Sequence, residues 1–330
     1  MTVDQTIANL NRNTEAAHVA VGRLDVAEMG RKVEAEQEIK REFYHQVSLL
    51  ADEAYRKIFI EKARVYEVLK DKDGKAIVDP DGTVHRRELS DEEKQNLKKG
   101  PDGKVHIANN GIFNDIDGAA KYAEQHSSAD TGPQYLIHFE KANNFTSELM
   151  IAAYQKNLEN DFWGLSNAAV QTKEYMTQFG QSGLHIDGHS RGTLTTGSAM
   201  ESLARDPANA GILGKTSMNF FGAAYGVQKA DSLLGVLQNR SGLDSESQRE
   251  AMELRYQNHY LDPVARLPLV GFNAATGGTV PDGSVRLWEW LKVLGGDKTA
   301  HNCYGNGGDA CKPFWGDSTD GMPHFKRAGE

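Results

Sequence analysis

Gly188-His189-Ser190-Arg191-Gly192 is the only Gly-x-Ser-x-Gly in the chain and the stretch whose residue types point most directly to chemistry. A serine hydroxyl is a useful nucleophile when a strand ends, the backbone reverses through a strained residue and a helix starts at once. Leu184–Asp187 reads as that strand. The small residues Thr193, Thr195, Thr196, Gly197, Ser198 and Ala199 would let the following helix lie close to the sheet. Gly188 and Gly192 stand where a Cβ would collide with strand or helix start, and His189 packs beside the bend. The N–H of Arg191, at the helix N-terminus, is one expected donor to a developing oxyanion.

Such a serine needs an imidazole to take its proton and an acid to orient that imidazole. In a strand–turn–helix site the chain order is serine, acid, histidine. Asp206, Asp231, Asp244, Asp262, Asp282 and Asp297 follow Ser190. Of these, Asp262 closes a strand-like run, Tyr256–Leu261, and precedes Pro263. The end of a parallel strand is where sites of such sheets assemble. His301 and His324 are the later histidines; His301 lies in a loop-like stretch and His324 near the terminus, so His301 is the expected base. The second oxyanion donor is expected from Asn109-Asn110-Gly111, where Asn110 and Gly111 allow close backbone approach.

A rival reading places a metal on His185, Asp187 and His189, which share a face at period two. The sequence reading has Gly188 end the strand before His189, so neither metal nor cofactor is expected. Cys303 and Cys311, in a Gly- and Asn-rich segment, are expected to close a disulfide, with two unrelated thiols as the alternative.

Short apolar runs alternate with helical stretches from Val105 onward. Strands are predicted at Val105–Ala108, Gln134–Phe139, Leu184–Asp187, Ser217–Phe221 and Arg255–Leu261. Helices are predicted near 117–126, 146–158, 165–179 and 191–205. That alternation calls for a mostly parallel sheet with helices on both faces. Residues 1–100 read as a small, mainly helical lead-in serving delivery or linkage, and 101–330 as the catalytic domain. Within the lead-in, helices are predicted over 13–51 and 52–68, then a β-hairpin or meander at Asp73-Gly74 and Asp81-Gly82. A capping box follows at Ser90–Glu93.

With 39% hydrophobic and 25% charged residues, the 330-residue chain is neither disordered nor fibrous. A net charge of −9 with scattered Lys and Arg argues against nucleic acid as partner. No run of apolar residues is long enough to span a membrane. Met1–Arg12 is polar and does not read as a secretory signal.

Phe220-Phe221-Gly222, then Asp262-Pro-Val264-Ala-Arg-Leu267-Pro268, resembles the order of elements in class-three lipases of the α/β-hydrolase kind. The resemblance implies Asp262 as acid, His301 as base and lipid esters as substrate. Arg191 and Thr193 depart from the family's Leu and Gly, and Gly-His-Ser-Arg-Gly is closer to bacterial phospholipase effectors. Val33–Phe43, Asn109–Asp115 and His301-Asn-Cys-Tyr-Gly305 resemble the C-terminal region of filamentous haemagglutinins of contact-dependent growth inhibition systems. That resemblance implies a toxin module of a larger exported, cell-surface adhesin acting in a target bacterium's envelope. It also implies a cognate immunity protein.

The expectation is therefore an antibacterial lipase or phospholipase, touching the membrane surface transiently and working through Ser190, His301 and Asp262. The alternatives are a metal-dependent nuclease-type toxin on His185, Asp187 and His189, or a non-catalytic hydrolase-like binding module.

Overall fold

The structure, a computed structural model, describes residues 8, 9, 12, 26–111, 114–127, 132–143, 145–161, 164–243, 245–258, 262, 264, 301, 304, 305, 326 and 327. Cys303, Cys311 and His324 lie outside the described residues, and the expected disulfide with them.

A long helix, α1 (Val26–Tyr55), leads through a π-helical turn (Arg56–Ile60) into strand β1 (Arg64–Val68). The sequence reading carried helix on to residue 68. Instead the alternating pattern of 64–68 wins, because Val65 and Val68 find apolar partners on opposite sheet faces. The expected meander follows: Gly74 and Gly82 donate to Asp71 and Asp79 across tight turns, and the chain reaches β2 (Arg86–Glu88). Ser90 and Glu93 close the expected capping box on α2 (Asp91–Gln95).

Five parallel strands then form the centre of the sheet. They are β3 (Val105–Asn109), β4 (Gln134–His138), β5 (Leu184–His189), β6 (Thr216–Phe221) and β7 (Leu254–Gln257). With the two-residue β8 (Lys326–Arg327), the order is β2-β1-β4-β3-β5-β6-β7-β8. β1 pairs antiparallel with β4, and β8 with β7. The sheet thus crosses the division expected at residue 100. β7 stops at Gln257, short of the predicted Leu261.

Helix α3 (Ile116–His126) connects β3 to β4. α4 (Phe145–Asn157) and α5 (Asn167–Phe179) connect β4 to β5, α6 (Arg191–Ala204) connects β5 to β6, and α7 (Val227–Gln238) and α8 (Glu246–Ala251) lie between β6 and β7. Parallel crossovers are right-handed. The first runs toward β1 and the later ones away from it, so α3 falls on one face and α4 to α7 on the other.

Side-chain period agrees. Val105, Ile107, Leu184, Ile186, Met218 and Phe220 pack into the large core with Met176, Met200 and Leu234 of the helices. Ala108 and Leu136 turn to the opposite face and meet Ala119, Ala120 and Ala123 of α3. The fold is α/β and α/β-hydrolase-like: a mostly parallel sheet with helices on both faces and a helical N-terminal region.

Candidate active site

Strand β5 runs through Gly188 to His189 and hands over directly to α6 at Ser190. The sequence reading ended the strand at Gly188; it survives because Gly188 and His189 stay paired with Phe220 and Phe221 of β6. Ser190 then takes φ 53° and ψ −118°, one of three described non-glycine residues at positive φ. Such a backbone costs about 1–3 kcal/mol and persists only where its surroundings over-determine it.

Those surroundings are visible. The Ser190 N–H donates to the Phe221 carbonyl at 2.9 Å. The Thr193 hydroxyl donates to the Ser190 carbonyl at 2.7 Å and accepts the N–H groups of Ala224 and Tyr225. Thr193 therefore ties the bend to the loop after β6. Nothing in the residue pattern alone announced that role; a hydroxyl in the first turn beside a strained residue is the signal to look for.

The flanking glycines are required by close approach. A Cβ on Gly192 would lie 2.2 Å from the Asn109 carbonyl oxygen, and one on Gly188 would press on Gly192 and Thr193 at 3.3 Å. Gly111 is set against the serine itself, since a Cβ there would come within 3.2 Å of Ser190 Cβ. The Asn110 side chain is committed elsewhere. It accepts from the Phe139 N–H at 2.7 Å and donates to the Phe139 carbonyl at 3.0 Å, clasping the loop to the end of β4. Any oxyanion contact from this loop would thus come from backbone N–H groups. Arg191 is the first residue of α6, its side chain 2% exposed, with the guanidinium over the Phe139 ring and donating to the Phe139 carbonyl.

The acid and the imidazole meet. His301 Nδ1 lies 2.9 Å from both carboxylate oxygens of Asp262, and both residues are buried. Burial alone would raise the Asp262 carboxyl. Attraction to His301 and the bonds from His301, Tyr304 and Val264 outweigh it and hold the group below the usual carboxylate range. Gly222, at φ +51°, leaves no room for a Cβ between Tyr304, Asp262 and His301, where contacts would fall below 3.0 Å. Gly222 follows Phe221, whose carbonyl holds Ser190, so the Asp262–His301 pair is packed against the end of the strand that braces the bend. Among the described residues, buried His301 Nε2 meets no hydrogen-bond partner.

His189 joins the two halves of the site. Its ring stacks on the His301 ring at 4.9 Å, and its Nε2 donates to the His301 carbonyl oxygen at 2.9 Å. Burial, with the neighbouring His301, pushes its pKa down to about 3, so the ring is neutral at ordinary pH. The bond assigns the proton to Nε2. Tyr122 and His126 of α3 pack on its other sides.

Three positions given no role by the sequence brace the surroundings of the Asp262–His301 pair. The Gln257 side chain accepts from the Gly305 N–H, Asn258 accepts from Ala223 N–H, and the Tyr304 hydroxyl donates to Asp262. His185 and Asp187 do not gather with His189. His185 lies 2.8 Å from the Ser217 hydroxyl and 3.0 Å from Asp187, and Asn219 donates to Asp187. Among the described residues, no group of three or more His, Cys, Asp or Glu is arranged to hold a metal ion. Nor is any described helix long and apolar enough to cross a membrane.

No family model, curated protein or solved structure matches the chain.

Proposed function

We propose that the chain is a serine ester hydrolase acting on lipid carboxylic esters, as a lipase or phospholipase. The observation that carries the reading is the buried Asp262–His301 pair, stacked through its imidazole on the residue preceding Ser190, with Nε2 left for a proton. In this reading His301 Nε2 takes the Ser190 proton as Oγ attacks the ester carbonyl carbon. Backbone N–H groups at Arg191 and in the Asn110–Gly111 loop receive the oxyanion. The tetrahedral intermediate collapses, the alcohol leaves with the proton from His301, and an acyl-enzyme remains. Water, deprotonated by the same imidazole, then releases the fatty acid and restores Ser190.

The lipid class of substrate and the role as a toxin module with an immunity protein rest on the resemblances quoted from the sequence, not on the geometry of the site. The arrangement speaks against a metal on this strand, because His185 and Asp187 are engaged with Ser217 and Asn219. The test is labelling by a fluorophosphonate probe. Wild-type protein should be labelled at Ser190, and Ser190→Ala should lose both label and ester hydrolysis. Full toxicity of Ser190→Ala in target cells would overturn the reading. Lipid profiling of those cells would identify the ester cleaved.

A further inference from the structure

Asp262 is shared. Its Oδ1 accepts the Val264 N–H at 2.8 Å, and its Oδ2 accepts the Tyr304 hydroxyl at 2.5 Å, while His301 Nδ1 sits at 2.9 Å from both oxygens. Tyr304 and Asp262 are each 0% exposed. The tyrosine is itself fixed. Gly305 beside it is bonded to the Gln257 side chain, the Tyr304 ring packs against Gly222, and His189 lies 6.2 Å from it. A buried tyrosine usually finds some acceptor for its hydroxyl. Here the acceptor found is the very carboxylate oxygen that also faces the imidazole.

We propose that Tyr304 is a positioning residue for the Asp262–His301 pair, fixing the plane of the carboxylate and drawing off part of its charge. The proposal rests on the reading of His301 as the base. The physical consequence has a sign. A buried carboxylate bonded only to an imidazole and one backbone N–H holds the imidazolium strongly and keeps the ring protonated to higher pH, when it cannot accept a serine proton. The Tyr304 hydroxyl, a further donor, spreads the negative charge and weakens that grip, which favours the neutral ring needed for attack. Donors on both oxygens also stop the carboxylate from rotating, so Nδ1–H keeps one acceptor geometry and Nε2 keeps one direction.

The experiment is an NMR titration of the His301 ring in wild type and Tyr304→Phe, which needs no substrate. The midpoint should move up by about 0.5–1 pH unit in the variant. The acid limb of the pH–rate profile should move with it wherever hydrolysis is measured. A variant that loses stability while its midpoint stays put would show that Tyr304 only fills space, and the proposal would fall. A variant that fails to fold is covered by the wild type. An exchange-protected hydroxyl proton should show proximity both to the Tyr304 ring and to the His301 Nδ1 proton, and its absence would overturn the proposal. Probe labelling separates this from the esterase reading. Labelled Ser190 with an unmoved midpoint sinks the Tyr304 role alone; an unlabelled wild type with a moved midpoint sinks the esterase and leaves the Tyr304–Asp262 coupling standing.

Discussion

His189 Nε2 donates to the backbone carbonyl oxygen of His301 across 2.9 Å, so the residue ahead of the candidate nucleophile holds the residue bearing the candidate base. His189→Phe keeps an aromatic ring for the stack and removes the donor. Losing one such bond should lower kcat/KM about tenfold, with little change in fold. Steady-state kinetics with a soluble ester check this, and full activity in the variant would show the bond to be irrelevant to the chemistry.

Asp262→Asn retains the size of the side chain and removes its charge. The orientation of His301 and the stabilisation of its protonated form should both suffer, with kcat falling about 10³–10⁴-fold. A loss under tenfold would mean that another acid orients the imidazole.

A Cβ on Gly192 would sit 2.2 Å from the Asn109 carbonyl oxygen. Gly192→Ala must therefore move α6 away from β3, at a cost of about 3 kcal/mol from overpacking. Thermal unfolding should show a Tm lower by several degrees. An unchanged Tm would mean that the helix start is not held as tightly as the contact implies.

Glu159 gives a pH-dependent test of the core between α4 and α6. Burial raises its carboxyl to about 7, against hydrogen bonds from Ser166 that pull it down. With the folded value above the unfolded one, its contribution to stability is full below the unfolded value and lost as pH rises through about 7. Glu159→Gln keeps an acceptor for the Ser166 N–H and removes the titration. The variant should gain about 3 kcal/mol at pH 8 and almost nothing near pH 4.5, read by urea unfolding at both values. Equal effects at the two pH values would contradict the burial argument.

The alternation of strands and helices after Val105 was legible because each central strand carries a short apolar run and each helix its own period. The bend at Ser190 was legible because two glycines and a serine at fixed spacing admit few backbones. Asp262 and His301 were found by chain order and by the ends of elements, and the structure brings them together. The bracing was not legible. Thr193, Gln257, Asn258 and Tyr304 act through side-chain bonds to distant backbone or carboxylate, and no local period marks such bonds in advance. Likewise β1 was hidden under a helical reading, since its partner, β4, lies far along the chain.

That pairing bears on how the chain can be divided. Because β1 lies along β4 from Arg64↔His138 to Val68↔Gln134, a fragment beginning at residue 101 would lose its flanking ribbon and bare a row of buried N–H and C=O groups. Such a fragment should self-associate rather than fold as an independent unit, so the first hundred residues are built into the sheet as well as preceding its parallel strands.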